Sequence, residues 1–111
     1  MINYNNPLII KKIKSYIGFA KKSGKIKIGT DNILAYKKNS VIILSESISD
    51  NAKNKLNNHA NKTSSNIICI KNNLMQELVD SDTIKAVSIV DENLALACLD
   101  FIKKLEESII E

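Results

Sequence analysis

Gly29-Thr30-Asp31-Asn32 stands where a short alternating run, Lys25-Ile26-Lys27-Ile28, gives way to a helical pattern. The first N–H groups of a helix have no partners within it and carry the positive end of its dipole. A helix start is therefore a ready seat for anions, and Lys25 and Lys27 bring ammonium groups to it on the preceding run. The three glycines, Gly18, Gly24 and Gly29, fall within twelve residues. Gly18 reads as a tight helix contact and Gly24 as a helix C-cap. Gly29 falls at the handover itself, where the backbone needs freedom or something must approach closely. Asp31 can satisfy the dipole, or accept hydrogen bonds from the edge of a guanine outside its pairing partner. The chemistry open to this group is recognition of a sugar–phosphate chain.

No catalytic arrangement stands beside it. His59 is the sole histidine; it sits among Asn57, Asn58 and Asn61 and reads as a surface or helix-end residue, with no nucleophile or carboxylate spaced to converge on it. Neither G-x-x-x-x-G-K-S/T nor G-x-G-x-x-G occurs. Cys69 and Cys98 lie far apart with no C-x-x-C spacing, so neither a zinc site nor a disulfide framework is expected, and their apolar settings suit core thiols. Asp91-Glu92 is explained by helix capping. The expectation is a protein without catalysis, metal or cofactor.

The 111 residues suit one domain, and the net charge of +4 conceals a division. All 16 basic residues are lysine. Residues 1–40 carry nine lysines and one acid, a charge of +8; residues 41–111 carry seven lysines and eleven acids, a charge of −4. Abundant Ile and Asn beside the lysines signal a compositional bias, which explains the number of lysines better than their segregation. A basic third on an acidic remainder calls for an anionic partner. No window approaches 18 uncharged apolar residues, and the first residues lack the basic start and apolar stretch of a signal peptide. A reducing cytoplasm is the expected compartment.

The elements that must hold the seat alternate along the chain. Ile9, Ile13, Tyr16, Ile17 and Ala20 form one stripe of a helix from Pro7 to Ala20, with the nearby lysines facing solvent. A second helix opens at Gly29-Thr30, carries Ile33, Leu34 and Tyr36, and has Lys37 and Lys38 at its C-terminal end. Val41-Ile42-Ile43-Leu44 and Ile67-Ile68-Cys69-Ile70 read as strands covered on both faces. Ser49 or Asp50 caps a third helix bearing Ala52, Leu56 and Ala60. A short helical segment around Leu74, Leu78 and Val79 precedes a polar loop, residues 80–85, and a strand from Ala86 to Val90. Asp91 caps a final helix with the stripe Leu94, Cys98, Phe101, Ile102 and Leu105. The alternation predicts a three-layer α/β/α sandwich in one domain.

The runs from Ile17 to Lys25, Gly29 to Asn32, Val41 to Glu46 and Ser49 to Leu56 together resemble the bacterial YlxQ-type ribosomal-protein-like family. That family lies within the superfamily of kink-turn-binding large-subunit ribosomal proteins, and the resemblance spans roughly residues 9–104. It implies an α/β/α sandwich with a mixed four-stranded sheet that binds structured, ribosomal RNA from the start of the second helix. The family motif there reads Gly-x-Asn-Glu, with a lysine three residues after the Glu. Gly29 and Thr30 agree; Asp31 stands for Asn, Asn32 for Glu and Ala35 for the lysine. Family members also place a short apolar loop on a flipped-out nucleotide. Here that loop is residues 80–85, with Ile84 its one apolar candidate and Lys85 beside it.

The sequence thus points to a small ribosome-associated RNA-binding protein, possessing no catalytic role, with ribosomal proteins as further partners. In this reading Lys21, Lys22, Lys25, Lys27, Lys37 and Lys85 neutralise phosphates, while Gly29, Thr30, Asp31, Asn32 and Ile84 meet the nucleotides. The alternative is a protein–protein interaction module of the same fold, its lysines meeting an acidic partner. Attachment of the lysine-rich first helix to a membrane surface is disfavoured by the lack of tryptophan.

Overall fold

The central strand is β3, Val41–Ser45, and every residue in it is buried. Its β-branched run feeds two cores at once, because successive side chains leave a strand on opposite faces. Val41 and Ile43 join one cluster and Ile42 and Leu44 the other. The computed structural model describes residues 2–3, 7–81 and 83–110, with the backbone alone at 2, 3, 102 and 104–110.

The other strands are β1 (Ile2–Asn3), β2 (Ile26–Ile28), β4 (Asn66–Ile70) and β5 (Ala86–Ile89). Their order across the sheet is β1-β4-β3-β5-β2. β1 and β4, and β4 and β3, run parallel, whereas β5 is antiparallel to both β3 and β2. The four predicted strands make the mixed sheet, and the two-residue β1 extends one edge, an addition that Ile2-Asn3 is too short to announce.

The helices are α1 (Pro7–Lys22), α2 (Thr30–Ala35), α3 (Asp50–Thr63), α4 (Asn72–Val79) and α5 (Glu92–Ile110). One face of the sheet is covered by α1, α4 and α5, which contribute Ile9, Ile13, Ile17, Met75, Leu78 and Cys98 to its core. The other face is covered by α2 and α3 through Ile33, Leu56 and Ala60. The result is the three-layer α/β/α sandwich. Ser49 caps α3 by accepting from the Ala52 N–H at 3.2 Å, and Asp91 caps α5 by accepting from the Leu94 N–H at 2.9 Å.

Three expectations need correction. The second helix ends at Ala35; Tyr36 is extended and donates its hydroxyl to the Val90 carbonyl at 3.2 Å. Lys37 and Lys38 therefore lie outside the helix, although the Lys37 ammonium still donates to the Leu34 carbonyl at 2.9 Å. A free helix end needs such donors. His59 is not a surface residue: it is 7% exposed and is buried on α3 with Leu56 and Ala60, at helical spacings that the surrounding asparagines obscure. Gly18 is not a tight contact, since a Cβ built there meets nothing within 4 Å. Lys12 is exposed, as expected, and its ammonium lies 5.6 Å from the centroids of the Tyr16 and Phe101 rings. The stripe residues Ile102 and Leu105 have side chains outside the described residues.

The handover glycine is fixed by conformation. Gly29 has φ 88° and ψ 153°, a region essentially closed to other residues. Gly29→Ala is expected to destabilise the fold by about 1–3 kcal/mol. Gly18→Ala, within α1 and facing open space, is expected to stabilise it by about 0.5–1 kcal/mol. Urea unfolding midpoints of the two variants check both signs.

Candidate functional site

The end of the sandwich where β3 and the other parallel strand, β4, finish is also where β2 turns into α2. The Gly29 N–H donates to the Ala86 carbonyl at 2.9 Å, which ties the turn to the start of β5. Gly29 supplies no side chain to cap α2, and a Cβ built on it meets nothing within 4 Å. The start of α2 is thus open to the outside. Asp31 and Asn32 are exposed on its first turn. The Asn32 amide nitrogen donates to the Ile28 carbonyl at 2.8 Å. Its Oδ1 remains as an acceptor beside the Asp31 carboxylate.

The same end holds a polar cluster that the sequence reading missed. Asn72 Oδ1 accepts from the Lys85 ammonium at 2.7 Å, from Ser47 Oγ at 2.8 Å and from Ser45 Oγ at 3.1 Å. Ser45 and Ser47 hydroxyls lie 2.8 Å apart. Backbone bonds join these residues to the α2 start, for the Ser45 N–H donates to the Lys85 carbonyl at 2.8 Å, next to Ala86. The signal available in sequence was positional: polar residues at the carboxyl ends of neighbouring parallel strands are where α/β sheets place ligands. Nothing in the spacing of Ser45, Asn72 and Lys85 shows that they converge.

The predicted site residues divide between two ends. Gly29, Thr30, Asp31, Asn32 and Lys85 lie at the end just described. Lys21 and Lys22 close α1 and, with Lys25, lie at the other end, where the Lys25 N–H donates to Ala20 and the Lys25 carbonyl accepts from Val90. Lys27 stands between, in the middle of β2 and half-buried. Four residue steps of extended chain lead from Lys25 to Gly29, about 13 Å of strand. Lys37 belongs with neither group, being turned back onto the end of α2. Ile84 is half-buried, packed in part against the core of α1, α4 and α5. Within its loop, Thr83 and Ser81 bond to each other, and Asp82 lies outside the described residues.

Both thiols are buried. Burial pushes Cys98 up to about 12 and raises Cys69 as well, so both stay protonated at neutral pH. Among the described residues no three His, Cys, Asp or Glu side chains gather as metal ligands, and no helix is long and apolar enough to cross a membrane.

Two outcomes follow. Asn72→Ala removes the common acceptor of Lys85, Ser45 and Ser47 and is expected to cost about 1–2 kcal/mol in urea unfolding. The folded form keeps the Cys98 proton above 9.0, the ordinary value at which the unfolded chain releases it. Stability is therefore expected to be intact below that pH and to fall by about 1.4 kcal/mol per unit as pH rises toward 12. Unfolding curves of the protein and of Cys98→Ala between these limits, compared by slope, measure it.

No protein-family model matches the chain, and no curated protein matches it. Among solved structures it is similar to a protein with unknown function from Bacillus halodurans, at 13% identity and a TM-score of 0.66, over 81% of this chain and 95% of that one. At that identity the likeness is one of fold.

Proposed function

We propose that this protein is a non-catalytic, cytoplasmic RNA-binding protein of the ribosome, of the YlxQ type, that lays an RNA strand along the β2 edge. The observation that carries the reading is the uncapped, unobstructed start of α2 at Gly29. Its first-turn N–H groups and the Lys27 ammonium suit phosphate oxygens. The Asp31 carboxylate and Asn32 Oδ1 form a pair of acceptors, the complement of the N1–H and N2–H₂ donors on a guanine edge freed from Watson–Crick pairing. Lys25, Lys21 and Lys22 extend the positive surface to the far end of the strand. The segregated +8 charge of residues 1–40 supports the same partner.

With about four phosphates neutralised, log affinity should fall against log salt with a slope of about −3. Lys25→Ala with Lys27→Ala is expected to weaken every RNA alike and to flatten that slope. Asp31→Ala with Asn32→Ala is expected to leave the slope unchanged while abolishing preference among RNAs. Fluorescence anisotropy with a kink-turn and a plain duplex, at several salt concentrations, reads both effects. A preference that survives loss of Asp31 and Asn32 overturns base reading by α2. No binding at low salt, together with no 260 nm absorbance on purification, replaces the RNA reading with that of a protein-interaction module.

A further inference from the structure

On the sheet face covered by α2 and α3, a groove of about 510 Å³ opens between these helices, away from Gly29. Lys37 enters it from beyond α2, and Lys55, Asn58, His59 and Lys62 line it from α3. Lys55 and Lys62 are seven residues apart, two helical turns or about 10.5 Å along the axis. They therefore share one side of the helix, with His59 between them. No carboxylate lines the groove, and among the described residues neither Lys55 nor Lys62 has an ion-pair partner. Three ammonium groups around one opening repel one another unless an anion enters.

His59 lines the same groove and is 93% buried, so its ring reports on what enters there. Thr63, on the same wall, donates its hydroxyl to the His59 main-chain carbonyl at 2.9 Å and bonds Ser65 Oγ at 2.6 Å. From these facts we infer that the α2–α3 groove is a binding site for a phosphate group, either free or carried by a mononucleotide. Lysine ammoniums on flexible stems serve phosphate as point charges; here Lys55, Lys62 and Lys37 close around it above His59, with the Asn58 amide as a further donor. The inference does not rest on the RNA reading, since none of its α3 residues belongs to that surface.

Because His59 is the sole histidine, its ring signals in an NMR spectrum are unambiguous. Titration with inorganic phosphate, against sodium chloride at matched ionic strength, is expected to move them saturably. Lys55→Ala with Lys62→Ala, both exposed and safe for folding, is expected to weaken that response at least tenfold. Parallel titrations with adenosine monophosphate and with oligouridylate identify the source: tighter binding of the mononucleotide than of phosphate marks a nucleotide site, and equal binding marks free phosphate. The inference is overturned if phosphate and mononucleotide leave His59 unmoved beyond the chloride control. It is equally overturned if the shift persists undiminished without Lys55 and Lys62, or if oligouridylate alone produces one. The Lys25/Lys27 double variant should titrate as the unaltered protein does, which separates this result from any failure of RNA binding.

Discussion

Complete desolvation of β3 is the constraint on which the rest depends. Its main chain is bonded to β4 on one side and β5 on the other, and its side chains alternate into two cores. No polar group in the middle of such a sheet can reach a ligand, and none could be left unpaired there without a cost of about 1–3 kcal/mol. Even Ser88, the one polar residue deep in β5, is bonded to Ser40 Oγ at 2.8 Å. Chemistry is consequently displaced to the strand ends and to the outer surfaces of the helices. The Asn72 cluster and the α2 start occupy one end, Lys21, Lys22 and Lys25 the other, and the His59 groove an outer face.

This displacement explains why a single linear segment serves more than one location. Residues 21–32 are contiguous in sequence, yet β2 carries the chain from one end of the sandwich to the other between Lys25 and Gly29. Charge and hydrogen-bonding specificity are thereby set apart in space along an edge, the arrangement suited to an extended ligand rather than a compact one. Ile84 shows the opposing demand. Its apolar side chain packs in part against the core while the rest stays at the surface.

Much of the architecture was legible because the signals were local. Continuous β-branched runs marked β3 and β4, Ser49 and Asp91 announced their caps, and Gly29 marked the one turn requiring a glycine-only conformation. The short extent of α2 was not legible. Tyr36 and Leu34 continue the helical spacing, and only the bond from the Tyr36 hydroxyl to Val90, 54 residues away, accounts for the chain leaving the helix there. The Asn72 cluster and the burial of His59 were hidden for the same reason. Each depends on partners brought together by the sheet order, and spacing along the chain carries no record of that order. Asparagines flanking His59 dilute the apolar pattern that would otherwise have marked the buried side of α3.

The position of β2 at the sheet margin has one more consequence. A terminal strand offers unpaired backbone groups to any other extended chain, and proteins blunt that hazard with short strands and lysine. β2 is three residues long, with Lys27 at its centre and Lys25 just before it. Those side chains therefore discourage self-association through strand addition, whatever else they meet. Neutralising them exposes a bare margin on a chain rich in isoleucine, so colloidal behaviour is tied to those two ammonium groups.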